Sequence, residues 1–322
     1  MRAIRIHAYG GPDVLKVDEI AVPSIADGEV LVRTSFIGVN FKDIYHRRGQ
    51  LKVDLPFIPG IEASGVVEAI GHGVDHVKEG DLVAFVLSSG TYAEFVAVPG
   101  DEIVPLPTGI TLEIAAAVLL QGITAHYLTH STFPLQPGDR CLIHAGAGGV
   151  GQLLCQIAKM RGASVITTVS TPEKAKMARE AGADDVILYT EEDFETEVKR
   201  ITQSRGVDVV YDSVGKTTFE KSMNCLRPRG MLVSFGNASG TPDPMRIMDL
   251  AEKGSLFVTR PTRADYSANR EELLQRSEDI FNWVISGELK IHMGGTFDFQ
   301  DAPEAHRLLE GRKTVGKLLL KV

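Results

Sequence analysis

Cysteine is scarce in this 322-residue chain: Cys141, Cys155 and Cys225 are the only three, and residues 1–140 contain none. They form neither a CxxC pair nor a disulfide ladder, which excludes a disulfide-stapled secreted scaffold and indicates a reducing, cytoplasmic setting. Basic runs are lacking as well. A net charge of −8 without a cationic cluster excludes the usual electrostatic footprint of a nucleic-acid partner. No segment approaches the length of a membrane span, and Met1-Arg-Ala-Ile-Arg5 reads as the start of a strand, so neither a membrane partner nor a signal region is expected. Internal repeats and low-complexity segments are also missing.

What is present is a glycine-rich turn in a specific setting. Cys141-Leu142-Ile143 is short and apolar, bounded by Gly138-Asp139, and reads as a buried strand. Val150, Leu153, Leu154, Ile157 and Ala158 then recur at helical spacing. Between them stands Gly146-x-Gly148-x-x-Gly151. In a dinucleotide site the first glycine permits the tight turn, and the second lets backbone approach a pyrophosphate. The third lets helix and strand pack closely, and the helix N-terminus aims its N–H groups at the phosphates.

The next strand, residues 164–169, indicates which dinucleotide. An NAD site places Asp or Glu at its end, on the ribose 2′-hydroxyl. Here the run is Ser170-Thr-Pro-Glu-Lys174. Ser170 can hydrogen-bond a 2′-phosphate and Lys174 can supply charge to it, while Glu173 falls in the next helix's first turn, where an acid suits the dipole. The alternative is an N-cap serine and a solvated lysine. The balance favours NADPH.

Residues 1 to about 110 read as short strands at 14–17, 29–34, 65–70, 81–85 and 91–98, punctuated by Pro and Gly, with a helical or loop insert at 40–48. Two helical runs follow, one capped by Thr111 and one from Ile123 to about Thr129. Strands and helices then alternate: strands at 165–169, 185–188, 207–211, 231–235 and 255–259, with helices at 173–180, near 192–202 and up to Leu226. That alternation predicts a doubly wound parallel sheet. Amphipathic helices at 273–285 and near 305–309, then a strand at 315–320, are expected to return to the first domain. The predicted division is 1–121 with 263–322, and 122–262.

With these motifs in hand, the chain resembles the zinc-independent quinone oxidoreductases of the zeta-crystallin type, in the medium-chain dehydrogenase/reductase superfamily. The most specific run is Gly138-Asp139, Leu142, Gly146-Ala-Gly-Gly-Val-Gly151, Gln156 and Lys159. Gly38-Val-Asn-Phe-Lys-Asp43, Gly60-Ile-Glu-Ala-Ser-Gly65, Leu120-Gln-Gly-Ile-Thr-Ala125, Val210-Tyr-Asp-Ser-Val-Gly215, Val233-Ser-Phe-Gly236 and Phe257-Val-Thr-Arg-Pro261 extend it over nearly the whole chain. The resemblance implies an α/β protein with a GroES-like, mostly-β catalytic domain and a Rossmann domain. It also implies a homodimer joined along residues 255–259.

It further implies cofactor contacts. Asn40, Tyr45 and Thr124 would lie near the nicotinamide, with Asn40 and Tyr45 as the catalytic candidates. Gly148, Gly149 and Val150 would hold the pyrophosphate. Ser170, Lys174 and Tyr189 would surround the 2′-phosphate, joined by Arg312 or Lys317 from the tail. Ser213, Phe235, Gly236, Val258 and Arg260 would line the adenosine and nicotinamide walls. Leu51 stands where some relatives carry a tyrosine.

Zinc-dependent members place Gly-His-Glu where this chain has Gly60-Ile61-Glu62. None of His7, His46, His72, His76, His126 and His130 pairs with a thiolate or carboxylate at zinc-ligand spacing, so no metal is expected. His72 and His76 read as solvated, and His144 and Cys155 as core. Tyr45 fits either a core aromatic satisfied by Asp43 or backbone, or a cleft residue; Asn40 fits either a turn or a cofactor contact. The expected activity is NADPH-dependent reduction of a quinone or similarly activated carbonyl. The alternatives are an enoyl or alkenal reductase, and a nucleotide-binding structural protein without turnover.

Overall fold

A computed structural model describes residues 1–322, which form two compact units: Met1–Ile123 with Asn269–Val322, and Thr124–Ala268. These divisions fall two and six residues later than the sequence boundaries. The first falls inside a helix, just after Gly122, which does not interrupt it.

In the first unit, β1 (Arg2–Ile6) and β2 (Leu15–Glu19) form an antiparallel pair. The remaining strands are β3 (Glu29–Val39), β4 (Glu62–Ile70), β5 (Leu82–Val86), β6 (Phe95–Pro99), β7 (Ile103–Pro105) and, from the tail, two more strands. Helix α1 (Phe41–Arg47) fills the interval after β3. The sequence run 91–98 is strand only from Phe95, because Thr91 and Tyr92 make the preceding turn.

Helix α2 (Leu112–Tyr127) is one continuous helix, extended by a π-helical segment, Leu128–Thr132, where two helical runs were expected. Thr111 caps it through Ile114 N–H at 3.2 Å. Gly122 does not interrupt it, since Ile280 packs over that glycine. Leu112–Thr132 is thus a 21-residue apolar helix, which corrects the expectation that nothing reaches membrane-span length; 67% of its apolar window is buried within the fold.

The second unit alternates strand and helix. Its elements are β8 (Arg140–His144), α3 (Gly149–Met160), β9 (Ser164–Val169), α4 (Pro172–Glu180), β10 (Asp185–Leu188), α5 (Phe194–Ile201), β11 (Val207–Asp212), α6 (Phe219–Asn224), β12 (Leu226–Ser234), α7 (Ile247–Glu252), β13 (Phe257–Thr259) and α8 (Arg263–Tyr266). The sheet order is β10-β9-β8-β11-β12-β13, all parallel. The order reverses beside β8, the switch point where such sheets bind ligands at their carboxyl ends. Leu226 begins β12 and does not end the preceding helix. Ser255, at φ 57°, turns ahead of β13. Leu142, Ile166, Val207, Val210 and Leu232 form the core on this sheet; each such burial contributes roughly 1.5–3 kcal/mol.

The tail comprises α9 (Arg270–Ser286), β14 (Met293–Asp298), α10 (Ala302–Glu310) and β15 (Lys317–Lys321). β15 pairs antiparallel with β3 and parallel with β14, giving the sheet order β14-β15-β3-β4-β5-β7, with β6 also on β3. Leu318 and Leu320 join Ile37, Val83, Phe85 and Ile103 in the first unit's core.

Candidate functional site

The glycine turn of the second unit is built differently from the sequence reading in one respect. The left-handed residue is Ala145, at φ 57°, and not the first glycine. Gly146 is required because any Cβ there would run into the Thr167 side chain, and Gly151 because a Cβ would overlap the Ala145 carbonyl. Gly148 is the N-cap of α3, in ordinary extended backbone (φ −75°, ψ 169°), and no side chain caps the helix. The N–H groups of the first turn, at Gly149 and Val150, therefore lie in the region that a helix leaves for an external acceptor. An anion fits there, helped by the helix dipole.

Behind the turn lies a buried polar network. His144 contacts Thr168 Oγ1 through Nδ1 and Ser222 Oγ through Nε2, both at 2.9 Å. Ser222 donates to Asp212, which also accepts from the N–H groups of Val214 and Gly215. Burial holds the His144 pKa below its usual value. Thr168 in turn accepts Gly146 N–H at its carbonyl, so the network fixes the strand ends that carry the turn. His144 and Cys155 are buried, as read from the sequence; burial pushes the Cys155 thiol up to about 12.

At the end of β9, Lys174 Nζ donates to Ser170 Oγ at 3.3 Å. Thr171, not Ser170, caps α4, which leaves the Ser170 hydroxyl outside the cap. Tyr189 follows β10 with its N–H on Val169, and it is exposed. No carboxylate stands at the β9 end: Glu173 lies on the first turn of α4 beside Thr171. These residues fit a 2′-phosphorylated ribose.

The opposite end of the sheet's ligand edge is shaped by Arg260, which donates to the carbonyls of Ser234 at 2.9 Å and Gly236 at 3.2 Å. Gly236 N–H bonds Asp212, and Ser213, Phe235 and Val258 are half-buried here. Ser234, Val258 and Arg260 line a recess of about 360 Å³. Sequence reading passed over Tyr127. Its hydroxyl hydrogen-bonds Thr124, its ring stacks on Tyr266 at 4.6 Å, and the Arg260 and Arg263 charges act on it; burial pushes it up to about 12. Its position three residues after Thr124 on α2 was the available signal.

The first unit places Asn40 at the N-cap of α1, 8% exposed. Its Nδ2 donates to the Gly38 carbonyl at 3.0 Å and to Glu62 Oε2 at 3.2 Å. Its Oδ1 accepts from Lys317 Nζ at 2.8 Å. Lys317 and Glu62 form a buried ion pair at 2.5 Å, with side chains 1% and 0% exposed. This corrects the assignment of Lys317 to a 2′-phosphate: its ammonium is enclosed and already neutralised. Arg312 is exposed, in left-handed backbone at φ 54°.

Asp43, two residues before Tyr45, accepts from Asn40 N–H at 2.8 Å and from the Tyr92 hydroxyl at 3.2 Å. Tyr92 also meets His306 Nε2 at 2.9 Å, His306 Nδ1 meets Arg47 at 3.0 Å, and Arg47 pairs with Glu310. Arg47 can only donate, so His306 accepts at Nδ1 and donates from Nε2, and Tyr92 donates to Asp43. Burial pushes the Asp43 carboxyl up to about 7 and pulls His306 down to about 3. The phenol on Asp43 is thus Tyr92, where the sequence alternative named Tyr45. Tyr45 itself is half-buried, its ring tilted against Phe41 at 6.4 Å. Gly60, at φ +92°, is needed because a side chain there would enter the Tyr92 ring. Leu51 is exposed, and His76, read as solvated, bonds the Gly100 carbonyl at 3.0 Å. No three His, Cys, Asp or Glu side chains converge as metal ligands.

Comparison with known proteins sharpens this picture. A family profile described as an alcohol dehydrogenase GroES-like domain matches residues 26–108, and one described as a zinc-binding dehydrogenase matches residues 149–277. The chain is 43% identical over 321 residues to quinone oxidoreductase 1 of Escherichia coli, covering 98% of each. It is equally 43% identical, over 323 residues, to 2-haloacrylate reductase of a Burkholderia species, covering 98% of this chain and 97% of that protein. The crystal structure of Escherichia coli quinone oxidoreductase complexed with NADPH matches with a TM-score of 0.98 at 42% identity, covering 100% of both chains.

Proposed function

From the premise that the chain belongs to the quinone oxidoreductase family of medium-chain dehydrogenases/reductases, we propose that it is an NADPH-dependent oxidoreductase that reduces a quinone or a similarly activated carbonyl. The observation that carries the cofactor assignment is the Ser170–Lys174 pair at the end of β9, with no carboxylate in its place. Gly148, Gly149 and Val150 are assigned to the pyrophosphate. Ser170, Lys174, Tyr189 and Arg312 are assigned to the 2′-phosphate, and Ser213, Phe235, Gly236, Val258 and Arg260 to the remaining walls. Thr124, Asn40 and Tyr45 are assigned to the nicotinamide, with Tyr45 also facing the acceptor.

NADPH supplies the hydride when bound. The protein's residues bind and orient. A quinone spreads the incoming charge over its own ring and so demands little of a strong acid. Tyr45 is the one candidate donor, which suits that acceptor.

The enzyme is read as zinc-independent, although one matching profile carries zinc in its description. Ile61 has no donor atom, and its neighbour Glu62 is committed to Lys317. We read the protein as cytoplasmic and as a homodimer paired along β13. That strand ends the six-stranded sheet, and Phe257 on it is 57% exposed. An uncovered edge of this kind invites pairing.

A second reading, reduction of an activated C=C, is favoured by one observation: the identity to 2-haloacrylate reductase equals that to quinone oxidoreductase. NADPH oxidation measured side by side with a benzoquinone, an enone and a 2-haloacrylate tests both. Faster turnover of quinone supports the first reading; faster turnover of the alkenes establishes the second. No NADPH oxidation with any acceptor leaves a binding protein without turnover.

A further inference from the structure

We infer that Glu62 and Lys317 act as positioning residues that lock the Asn40 amide in one orientation, leaving it a single acceptor valence toward a bound cofactor. The inference rests on the NADPH reading above.

An asparagine amide can usually be turned end for end, because its oxygen and nitrogen occupy nearly the same space. Here the partners' chemistry removes that freedom. An ammonium only donates, so the atom facing Lys317 Nζ at 2.8 Å must be Oδ1. A carboxylate only accepts, so the atom facing Glu62 Oε2 at 3.2 Å must be Nδ2. The second Nδ2 hydrogen goes to the Gly38 carbonyl at 3.0 Å. Both donors are thereby used. Of the two Oδ1 lone pairs, one takes Lys317 and one is left, on a residue that retains 8% exposure.

The surroundings hold the lock in place. Glu62 Oε1 accepts Leu120 N–H at 2.7 Å, which ties the carboxylate to α2. Gly38 leaves room for the pair: a Cβ there would lie 2.8 Å from Lys317 Cε and overlap Glu62. Asn40 can therefore accept from a ribose hydroxyl or a carboxamide NH₂. It cannot donate to an oxyanion forming on the acceptor, a task that leaves Tyr45 as the side-chain candidate.

The test is the double substitution Glu62→Gln/Lys317→Met, which keeps the volume and removes both charges. Neutral replacement of a buried pair is often tolerated or stabilising. Methionine cannot donate and glutamine can do either, so the amide is released. Binding of NADPH and of 2′,5′-ADP, which lacks the nicotinamide half, is measured by calorimetry alongside thermal melting. The expected result is a folded protein with unchanged 2′,5′-ADP affinity and an NADPH Kd raised about 3–10-fold, the loss of one neutral hydrogen bond. An NADPH Kd raised less than about threefold overturns the inference. So does an equal loss for 2′,5′-ADP, or a double variant that cannot fold, since either makes the pair merely structural. A wild-type protein that binds neither ligand would instead refute the cofactor reading.

Discussion

The Ala145 carbonyl occupies the space where a Gly151 side chain would begin, so the left-handed turn and the helix after it are held together by the absence of one methyl group. Gly148 is different. Its backbone is one that any residue adopts, and a Cβ there would meet only the Ala145 oxygen, at 3.2 Å.

The two glycines should therefore fail differently. Gly151→Ala should cost about 1–3 kcal/mol of stability, as overpacking does. Gly148→Ala should melt close to wild type yet bind NADPH at least tenfold more weakly, because the methyl group covers the helix N-terminus. Calorimetry and melting curves on both variants check this; normal NADPH affinity in Gly148→Ala would remove the pyrophosphate from this turn.

Cofactor choice should depend on Lys174. Lys174→Ala should weaken NADPH by ~1–3 kcal/mol, the range for a charge-assisted hydrogen bond, and leave NADH nearly unchanged. Equal losses for the two cofactors would refute the 2′-phosphate assignment.

The buried cluster should make stability depend on pH in two opposing ways. Asp43 is raised from its ordinary 3.8 to about 7, so the fold holds its proton more tightly than the unfolded chain does. Its contribution declines as pH rises from about 4 to 7. His306 is lowered from 6.5 to about 3, so its contribution is complete above 6.5 and is lost as pH falls toward 3. Asp43→Asn removes the first slope. Relative to wild type, this variant should gain roughly 2–3 kcal/mol between pH 5 and pH 8. Denaturant melts at the two pH values would reveal it, and a constant difference would mean that Asp43 does not titrate in this range.

Tyr45→Phe should separate the candidate reactions. If the hydroxyl only positions, quinone turnover should fall less than about tenfold; if it is a general acid for an enone, enone turnover should fall by roughly 10²–10⁴. A large loss confined to enones, in an enzyme that prefers them, would make alkene reduction the true activity.

The edge of β13 should be where copies meet. Phe257→Glu should convert a dimer to a folded monomer, read by light scattering at micromolar concentration. A wild-type monomer, or a Phe257→Glu dimer, would place the interface elsewhere or nowhere.

Much of the second unit was legible because its signals are local. A strand, a glycine turn and an amphipathic helix lie within twenty residues, and period and punctuation identify each. Short-range reading went astray at α2, where two helical runs were expected and one continuous helix forms, and at Leu226, which belongs to strand. The first unit's polar cluster was beyond reach for a different reason. Glu62 and Lys317 are 255 positions apart, Tyr92 and His306 are 214 apart, and no periodicity links them. Lys317 was consequently assigned to the 2′-phosphate. Asn40 was singled out as a cofactor contact, but its partners Glu62 and Lys317 had no sequence signature.

Strand β15 lies between β14 and β3, and Lys317 at its start reaches Asn40 across 277 positions. During synthesis the second unit is contiguous and is complete before this strand is made. At about 5–20 residues per second, the ribosome needs roughly 15–55 s to add that interval. Until β15 arrives, the Phe36–Val39 end of β3 lacks its partner strand, and Glu62, once made, has no counter-ion. The nascent first unit therefore waits, exposed to chaperones and to neighbouring chains, until its last strand arrives to close the sheet and neutralise its interior in a single event.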